Sequence, residues 1–278
     1  MQVIRAVPKL AELRQNSYIK SSAARRSLPT AFVETNRSMF PIRDSVPTVQ
    51  TPVIVYTLIA VNAVVFLYQN NLGPYDAGVF TYEYGLVPRR YFDVYWATRH
   101  GYAPTGYWPF LTAAFLHGGW LHIILNMWTL YIFGASMEGR LGSLPFLVFY
   151  LVCAVASTVV HAWFNATSDV PVIGASGAIA GVIGAYAMSF PTARITLLIP
   201  IIIIPLIFDI PAVAFAAIWF GMQLLQGAWE TLTPSMGGGI AWWAHIGGFL
   251  AGMIVLPLFL PFAPVRQVRG PWQPGPWG

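Results

Sequence analysis

The scarcity of charged side chains constrains the fold of this chain more than any other sequence feature. Only 9% of its residues are charged and 56% are hydrophobic, whereas a soluble domain carries about 25% charged residues. From position 100 to position 265 the charged residues are Glu138, Arg140, Asp169, Arg194, Asp209 and Glu230. A charge near the centre of a bilayer costs roughly 2.5 to 3.5 kcal/mol to insert. The pattern therefore predicts an integral membrane protein in which the sparse charges mark loops.

Six apolar stretches are candidates for membrane spans, each of which needs about 20 apolar residues. They cover residues 52–70, 119–137, 144–164, 171–190, 211–228 and 241–262. We therefore predict an all-α fold, a polytopic membrane helical bundle with six transmembrane helices. The run 195–208 is also apolar, but it is short and contains Pro200 and Pro205, which break a regular helix. We interpret it as a re-entrant or interfacial segment and not as a seventh span.

The predicted organisation has three parts. Residues 1–51 form a basic extension that is expected to be cytosolic and disordered, because eight of the fifteen Lys and Arg residues precede residue 44. Residues 52–262 form the transmembrane domain, and residues 263–278 form a tail rich in Pro and Gly. No apolar segment of the secretory type precedes Pro52, so we expect no cleaved signal.

The orientation follows from the Lys and Arg residues, which concentrate in cytosolic loops. With six spans, the basic residues of the tails and short loops share one side of the membrane; they include Arg140, Arg194, Arg266 and Arg269. Both termini are therefore predicted to be cytosolic.

The first candidate for chemistry is Ser176, in the motif Gly-Ala-Ser-Gly at 174–177 that opens the predicted fourth span. A serine hydroxyl becomes a nucleophile when an adjacent base takes its proton. However, Gly177, Gly181 and Gly184 also make a smooth surface on which membrane helices can pack closely. A packing role is therefore the alternative interpretation of Ser176.

The second candidate is His245, near the start of the predicted sixth span. An ionisable residue within a span suggests a functional site, although a histidine can also simply hydrogen-bond a neighbouring helix. Ala244, Gly248 and Gly252 recur every four residues and form a second surface of small residues. If the two surfaces pack together, Ser176 and His245 come within hydrogen-bond reach.

The direction of the helices gives an independent constraint on this pair. One span separates the fourth from the sixth, so both run in the same direction, and Ser176 and His245 lie near the starts of their helices. The two residues are therefore expected at the same depth, near the outer leaflet. A seventh span at 195–208 would place them on opposite sides of the membrane.

The predicted second span carries His122 and Asn126, which are four residues apart and hence on one helical face. Both side chains could donate hydrogen bonds to a developing oxyanion, a contribution of about 2.7 to 4 kcal/mol per donor in other acyl-transfer enzymes. Association of helices through these polar groups is the alternative. His117 precedes this pair in the same segment, and His100 and His161 are expected at the membrane interface.

Several other functions are not indicated by the sequence. The histidines do not follow a metal-binding spacing, and no glycine-rich phosphate loop joins a strand to a helix. The basic residues of the extension are not interleaved with aromatic residues, as they often are in nucleic-acid-binding segments. We therefore expect no metal, cofactor, nucleotide or nucleic acid, and the single cysteine, Cys153, cannot form a disulfide within one chain.

Four motifs together resemble the rhomboid family of intramembrane serine proteases, of the bacterial six-span type, over about residues 39–262. They are H-I-I-L-N at 122–126, E-G-R-L-G at 138–142, G-A-S-G at 174–177 and A-H-I-G-G-F-L-A-G at 244–252. The resemblance implies that Ser176 is the nucleophile and His245 the general base. It also implies that His122 and Asn126 stabilise the oxyanion, and that Glu138 belongs to a structural motif.

Two positions depart from the pattern of this family. Many members have Trp-Arg before the second span, whereas this chain has Trp108 followed by Pro109, so a different anchor is needed for that loop. Some members have an aromatic residue four positions after the serine that stacks on the catalytic imidazole. Here that position is Ala180, so another group must orient His245, for which Trp242 and Trp243 are candidates.

The resemblance implies cleavage of transmembrane protein substrates within the lipid bilayer of a bacterial plasma membrane. No carboxylate is evident near Ser176 or His245 in the sequence, so we expect a Ser-His dyad. Residues 39–43 resemble the usual beginning of bacterial members, and we hypothesise that residues 1–38 reflect an upstream start assignment. The alternatives are a catalytically weak or inactive rhomboid-like protein that binds membrane clients, and a small transporter. The sequence has no internal repeat of the kind that transporters often show.

Overall fold

The computed structural model describes residues 40–48, 50–102, 106–201, 204–232 and 241–263. Most of the predicted basic extension and almost all of the predicted C-terminal tail lie outside these residues. The described chain is mainly helical, and its strands form one small sheet.

The described chain contains eleven α-helices. They are α1 Val53–Asn71, α2 Pro74–Tyr84, α3 Arg89–Phe92, α4 Val94–Arg99, α5 Pro109–Thr112, α6 Trp120–Thr129, α7 Ala135–Leu141, α8 Ser143–Phe164, α9 Ser176–Ser189, α10 Ala212–Leu232 and α11 Trp242–Phe259. A π-helical segment, Leu130–Gly134, joins α6 to α7, and single 3₁₀ turns occupy Ala113–Phe115 and Leu260–Phe262. The predicted polytopic helical bundle is confirmed.

Five helical segments of the described chain are long and apolar enough to cross a membrane. They are Val53–Asn71, Trp120–Leu141, Ser143–Phe164, Ala212–Trp229 and Trp242–Phe262. The remaining predicted span, the fourth (171–190), contains only the 14-residue helix α9, because residues 171–175 are not helical. At 1.5 Å per residue α9 is about 21 Å long, which is shorter than the roughly 30 Å hydrocarbon core.

Helix α9 is short but central. Every residue from Gly177 to Ala187 is buried against neighbouring helices, and a helix that is apolar on all sides belongs in an interior. Since protein surrounds α9, it does not need the length of a lipid-facing span. This position places Ser176, its first residue, inside the bundle.

The close packing of α9 against α11 confirms the prediction that two surfaces of small residues meet. A methyl group at Gly248 would overlap the carbonyl oxygen of Gly177, and one at Gly252 would overlap the carbonyl oxygen of Gly181. The two backbones therefore touch at successive turns of each helix. Only glycine allows this separation.

The apolar run at 195–208 is a β-hairpin. Strands β2 (Arg194–Ile201) and β3 (Ile204–Pro211) pair antiparallel, and β1 (Phe40–Asp44) adds to the other edge of β2. The run is not a seventh helix, as predicted, but the sheet is a departure from the predicted all-α fold. Isoleucine favours the extended backbone and proline disfavours helix, so the hairpin follows from the same residues.

Strand β1 lies within the range 1–51, for which disorder is expected, but its backbone is paired with β2. A side-chain anchor ties it to the bundle. One carboxylate oxygen of Asp44 accepts hydrogen bonds from the hydroxyls of Ser136 (2.6 Å) and Tyr186 (2.9 Å). The predicted disorder therefore does not extend to the end of the extension.

Glu138 links the second spanning segment to the start of α1. Its carboxylate is fully buried and accepts hydrogen bonds from the backbone N–H groups of Ile54 (3.0 Å) and Val55 (2.9 Å) and from the hydroxyl of Ser143 (2.6 Å). The first N–H groups of a helix have no partner within it, and a negative charge there is favourable. Glu138 therefore caps α1 and has a structural role.

Candidate active site

The turn before α9 presents Ser176 at the first position of the helix. Gly174 adopts a φ of +126°, a conformation that side chains other than glycine rarely accept, and its N–H donates to the carbonyl of Ala113 (2.8 Å). A methyl group at Gly174 would also contact the ring of His122. The first glycine of the motif is thus required by both backbone conformation and space.

Ser176 and His245 are in direct contact. His245 lies in the first turn of α11, is 9% exposed, and its Nε2 atom is 2.8 Å from the Oγ atom of Ser176. The predicted meeting of these two side chains is confirmed. Parallel helices in glycine contact bring the two together at the same end of the bundle.

The other ring nitrogen of His245 contacts Gln223, a residue that the sequence analysis missed. Gln223 lies on α10, is 5% exposed, and its Oε1 atom is 2.7 Å from Nδ1 of His245. A polar residue buried within a span was the available signal. The sequence interval of 22 residues between them gave no indication that the two would meet.

Two tryptophans lie beside the imidazole in place of the missing aromatic at Ala180. The ring centroids of Trp219 and Trp242 lie 5.8 Å and 6.1 Å from that of His245, and Trp242 is nearly perpendicular to it. Of the two candidates, Trp242 therefore lies beside the imidazole, whereas the ring of Trp243 stacks on Phe164 at 4.0 Å.

His122 lies near Ser176 and carries a donor on its ring. Its Nδ1 accepts a hydrogen bond from the N–H of Gly118 (3.3 Å), so in the neutral ring the proton resides on Nε2. A methyl group at Gly174 would lie 2.7 Å from this Nε2 and 3.7 Å from the Oγ of Ser176. The Nε2 atom of His122 therefore lies close to the space next to the hydroxyl.

Asn126 lies one turn further along the same helix and is buried. Its Nδ2 atom has no hydrogen-bond partner among the described residues. A buried amide donor without a partner is costly, which makes it a candidate donor for a bound group.

Two further histidines lie in the bundle. His117 is buried just before α6, its ring centroid is 5.0 Å from that of His122, and burial together with this neighbour lowers the pKa of His117 to about 4. His161, which was expected at the membrane interface, is 7% exposed and lies in the last turn of α8. It lies on the inward face of α8, next to the buried Thr158 and Ala162.

The loop before the second spanning segment is anchored by Arg90 and not by a residue after Trp108. The guanidinium carbon of Arg90 lies 5.1 Å from the ring centroid of Tyr102 and 5.7 Å from that of Trp108. Tyr91 donates its hydroxyl to the carbonyl of Gly106 (2.9 Å), and burial raises the pKa of Tyr91 to about 12. A buried cation among aromatic rings thus holds the loop in which Pro109 departs from the family pattern.

In the described part of the chain, no group of three or more His, Cys, Asp or Glu side chains is placed to hold a metal ion. The chemistry available at the site is that of a hydroxyl, imidazoles and amides.

Comparison with known proteins adds a family context to this geometry. Residues 104–262 match the model of the Rhomboid domain family. The chain is similar to Rhomboid protein 1, mitochondrial, of Saccharomyces cerevisiae, with 30% identity over 147 residues, 51% of this chain and 39% of the relative. It is also similar to Presenilin-associated rhomboid-like protein A, mitochondrial, of Danio rerio, with 29% identity over 185 residues, 61% of this chain and 45% of the relative.

A bacterial relative is the rhomboid protein YdcA of Bacillus subtilis, with 30% identity over 86 residues, 31% of this chain and 43% of the relative. The chain spans less than half the length of each of these three relatives.

Proposed function

This integral, multi-pass membrane chain belongs to the rhomboid family, and from that premise we propose that it is an intramembrane serine endopeptidase. It hydrolyses peptide bonds in or near transmembrane segments of other membrane proteins. The observation that carries the proposal is the 2.8 Å contact between Ser176 Oγ and His245 Nε2 inside the helical bundle.

The contact supports nucleophilic catalysis by a Ser-His dyad. Nε2 of His245 takes the proton of Ser176 as Oγ attacks the carbonyl carbon of the scissile bond. The tetrahedral intermediate then collapses, and the imidazolium gives the proton to the departing amine, which leaves an acyl ester on Ser176. A water molecule, deprotonated by the same imidazole, hydrolyses the ester and restores the hydroxyl.

The negative charge that develops on the substrate oxygen requires nearby donors. The protonated Nε2 of His122 lies near the space beside Ser176 Oγ, and the Nδ2 of Asn126, which has no partner among the described residues, follows one turn later. We assign both to stabilisation of the oxyanion. Donors that are already in place cost no reorganisation during the reaction.

The substrates are transmembrane segments that unwind readily. In an intact helix each carbonyl accepts an internal hydrogen bond, so the scissile carbonyl is accessible only after local unwinding. We therefore expect preference for segments with Gly or another helix breaker near the outer boundary. Equal cleavage of a stable poly-leucine segment would contradict this expectation.

We place the protein in a bacterial plasma membrane with both termini in the cytosol. The Lys and Arg residues near the predicted ends of the spans support this orientation. The resemblance of the motifs to those of bacterial rhomboids supports the assignment to a bacterial plasma membrane. Fusion of reporters that are active on only one side of the membrane, at residue 278, tests it. A periplasmic C-terminus would reverse the assignment.

The direct test is cleavage of a reporter transmembrane substrate by the purified protein, compared with Ser176→Ala and His245→Ala variants. The proposal predicts cleavage by the wild type and none by either variant. Binding of the substrate without cleavage by the wild type would instead favour an inactive, client-binding protein.

A further inference from the structure

Gln223 contacts the base of the proposed dyad from a third helix. We propose that Gln223 is a positioning residue that fixes the tautomer and the orientation of His245, an inference that rests on the proposed function for its catalytic consequence. The two side chains are buried and belong to α10 and α11. Gln223 does not touch Ser176 in this arrangement and acts only through the imidazole.

The orientation of the Gln223 amide follows from its hydrogen bond to Trp219. Nε2 of Gln223 donates to the backbone carbonyl of Trp219 (3.3 Å), an atom that can only accept. The amide oxygen of Gln223 therefore faces His245, at 2.7 Å from Nδ1. An oxygen can only accept in this contact, so Nδ1 must carry the proton.

The consequence appears at the other side of the ring. In a neutral imidazole only one nitrogen is protonated, so a proton on Nδ1 leaves a lone pair on Nε2. That lone pair faces the Oγ of Ser176 at 2.8 Å. The hydroxyl can then donate to Nε2, which is the arrangement that a general base requires.

An amide is an ambiguous partner because it can donate as well as accept. With the amide reversed, its NH₂ group would face Nδ1, the proton would move to Nε2, and Ser176 would face a donor. Selection of the wrong tautomer by an amide lowers turnover by about 10⁴-fold in a serine protease. The carbonyl of Trp219 prevents the reversal here, since a reversed amide would point its oxygen at another oxygen.

The same contact explains how the imidazole is held without an aromatic residue at position 180. Ala180 is buried but small, so it cannot restrain the ring by stacking. Gln223 instead restrains the imidazole of His245 through the hydrogen bond at Nδ1. The ring centroid of Trp219 lies 5.8 Å from that of the imidazole. One turn of α10 thus supplies both the acceptor and an aromatic neighbour.

The test uses the full-length protein and three substitutions on α10. Gln223→Met keeps the length and shape of the side chain but removes the acceptor, whereas Gln223→Glu keeps an acceptor for Nδ1–H. Gln226→Met makes the same chemical change at an exposed position of the same helix and is the matched control. The rate of labelling by a fluorophosphonate probe should fall about tenfold or more in Gln223→Met, stay within a few-fold in Gln223→Glu and not change in Gln226→Met.

A second readout does not depend on activity. The ¹⁵N shifts of the His245 ring, assigned by difference from a His245→Ala sample, should report a proton on Nδ1 in the wild type and a mixture of tautomers in Gln223→Met. A proton on Nε2 in the wild type, or the same tautomer in both proteins, overturns the inference. Equal labelling of wild type and Gln223→Met also overturns it while leaving the protease proposal intact. Wild-type protein that shows the Nδ1–H tautomer but does not label would instead refute the proposed function alone.

Discussion

Substitution of Gly248 by alanine tests whether the glycine contact between α9 and α11 determines the distance between Ser176 and His245. Gly248 lies three residues after His245, and its added methyl group would overlap the carbonyl oxygen of Gly177, which directly follows Ser176. Ordinary van der Waals contact needs about 3.4 Å or more, so the two helices must separate by at least about 1 Å. Both members of the dyad are attached to the backbones that move apart.

The magnitude of the effect follows from that displacement. A separation of about 1 Å lengthens the present 2.8 Å contact beyond hydrogen-bond range. Misplacement of reacting groups by about 1 Å can cost roughly 100-fold in rate, and overpacking of a tight interface costs about 1 to 3 kcal/mol of stability. We therefore expect about 100-fold slower labelling of Ser176, in a protein that still folds.

The assay is the rate of fluorophosphonate labelling in detergent, combined with an unfolding curve for each variant. Gly221→Ala is the matched control, because Gly221 lies in membrane helix α10 and a methyl group there meets no atom within 4 Å. This control should label at the wild-type rate. Wild-type labelling by folded Gly248→Ala would refute the argument that helix contact sets the Ser-His distance.

Three other perturbations give distinct outcomes. Glu138→Ala should lower the free energy of unfolding by about 3 kcal/mol or more, since buried N–H groups lose their acceptor, whereas Arg140→Ala should change it by less than about 1 kcal/mol in the same titration. Asn126→Ala should slow substrate cleavage by about 100-fold without loss of stability, because its amide nitrogen has no partner among the described residues; a parallel loss of stability would contradict the assignment. The lowered pKa of His117 means that the folded protein resists protonation between about pH 6.5 and 4 while the unfolded chain does not. The folded protein therefore loses stability as the pH is lowered through that window. His117→Phe should remove on the order of 2 kcal/mol of the stability that is lost between pH 7 and pH 5. An unchanged pH dependence of stability would exclude this role.

The contact between Ser176 and His245 was predictable because it depends on features that can be read directly from the sequence. Small residues at spacings of four define helix surfaces that can touch, and the number of intervening spans fixes the relative direction of the helices. These two facts place the side chains at the same depth without any knowledge of the loops.

Gln223 and Arg90 were not predictable in the same way. Each acts through a contact that depends on the rotation of a helix or on the path of a loop, and neither property leaves a periodic pattern. Gln223 could have been suspected as a buried amide within a span. Its partner could not, because the lateral position of α10 is determined by packing with α9 and α11.

The small sheet shows a different limit of sequence reasoning. The prolines and the short length of the run at 195–208 excluded a helix, but strand pairing needs a partner, and β1 lies about 150 residues earlier in the chain. Register between such distant segments is set by the fold of the helices between them. Helix α9 was overestimated in length for a related reason, since its apolar flank at 171–175 forms an extended turn that presents Ser176.

The most direct measurement is mass spectrometry of the peptide that carries the fluorophosphonate adduct, in wild-type protein and in His245→Ala. We predict a single modified serine, Ser176, in the wild type and a loss of most of the modification when the imidazole is absent. Modification of a different serine, or undiminished modification of Ser176 without His245, would contradict the claim that these two side chains form the catalytic pair.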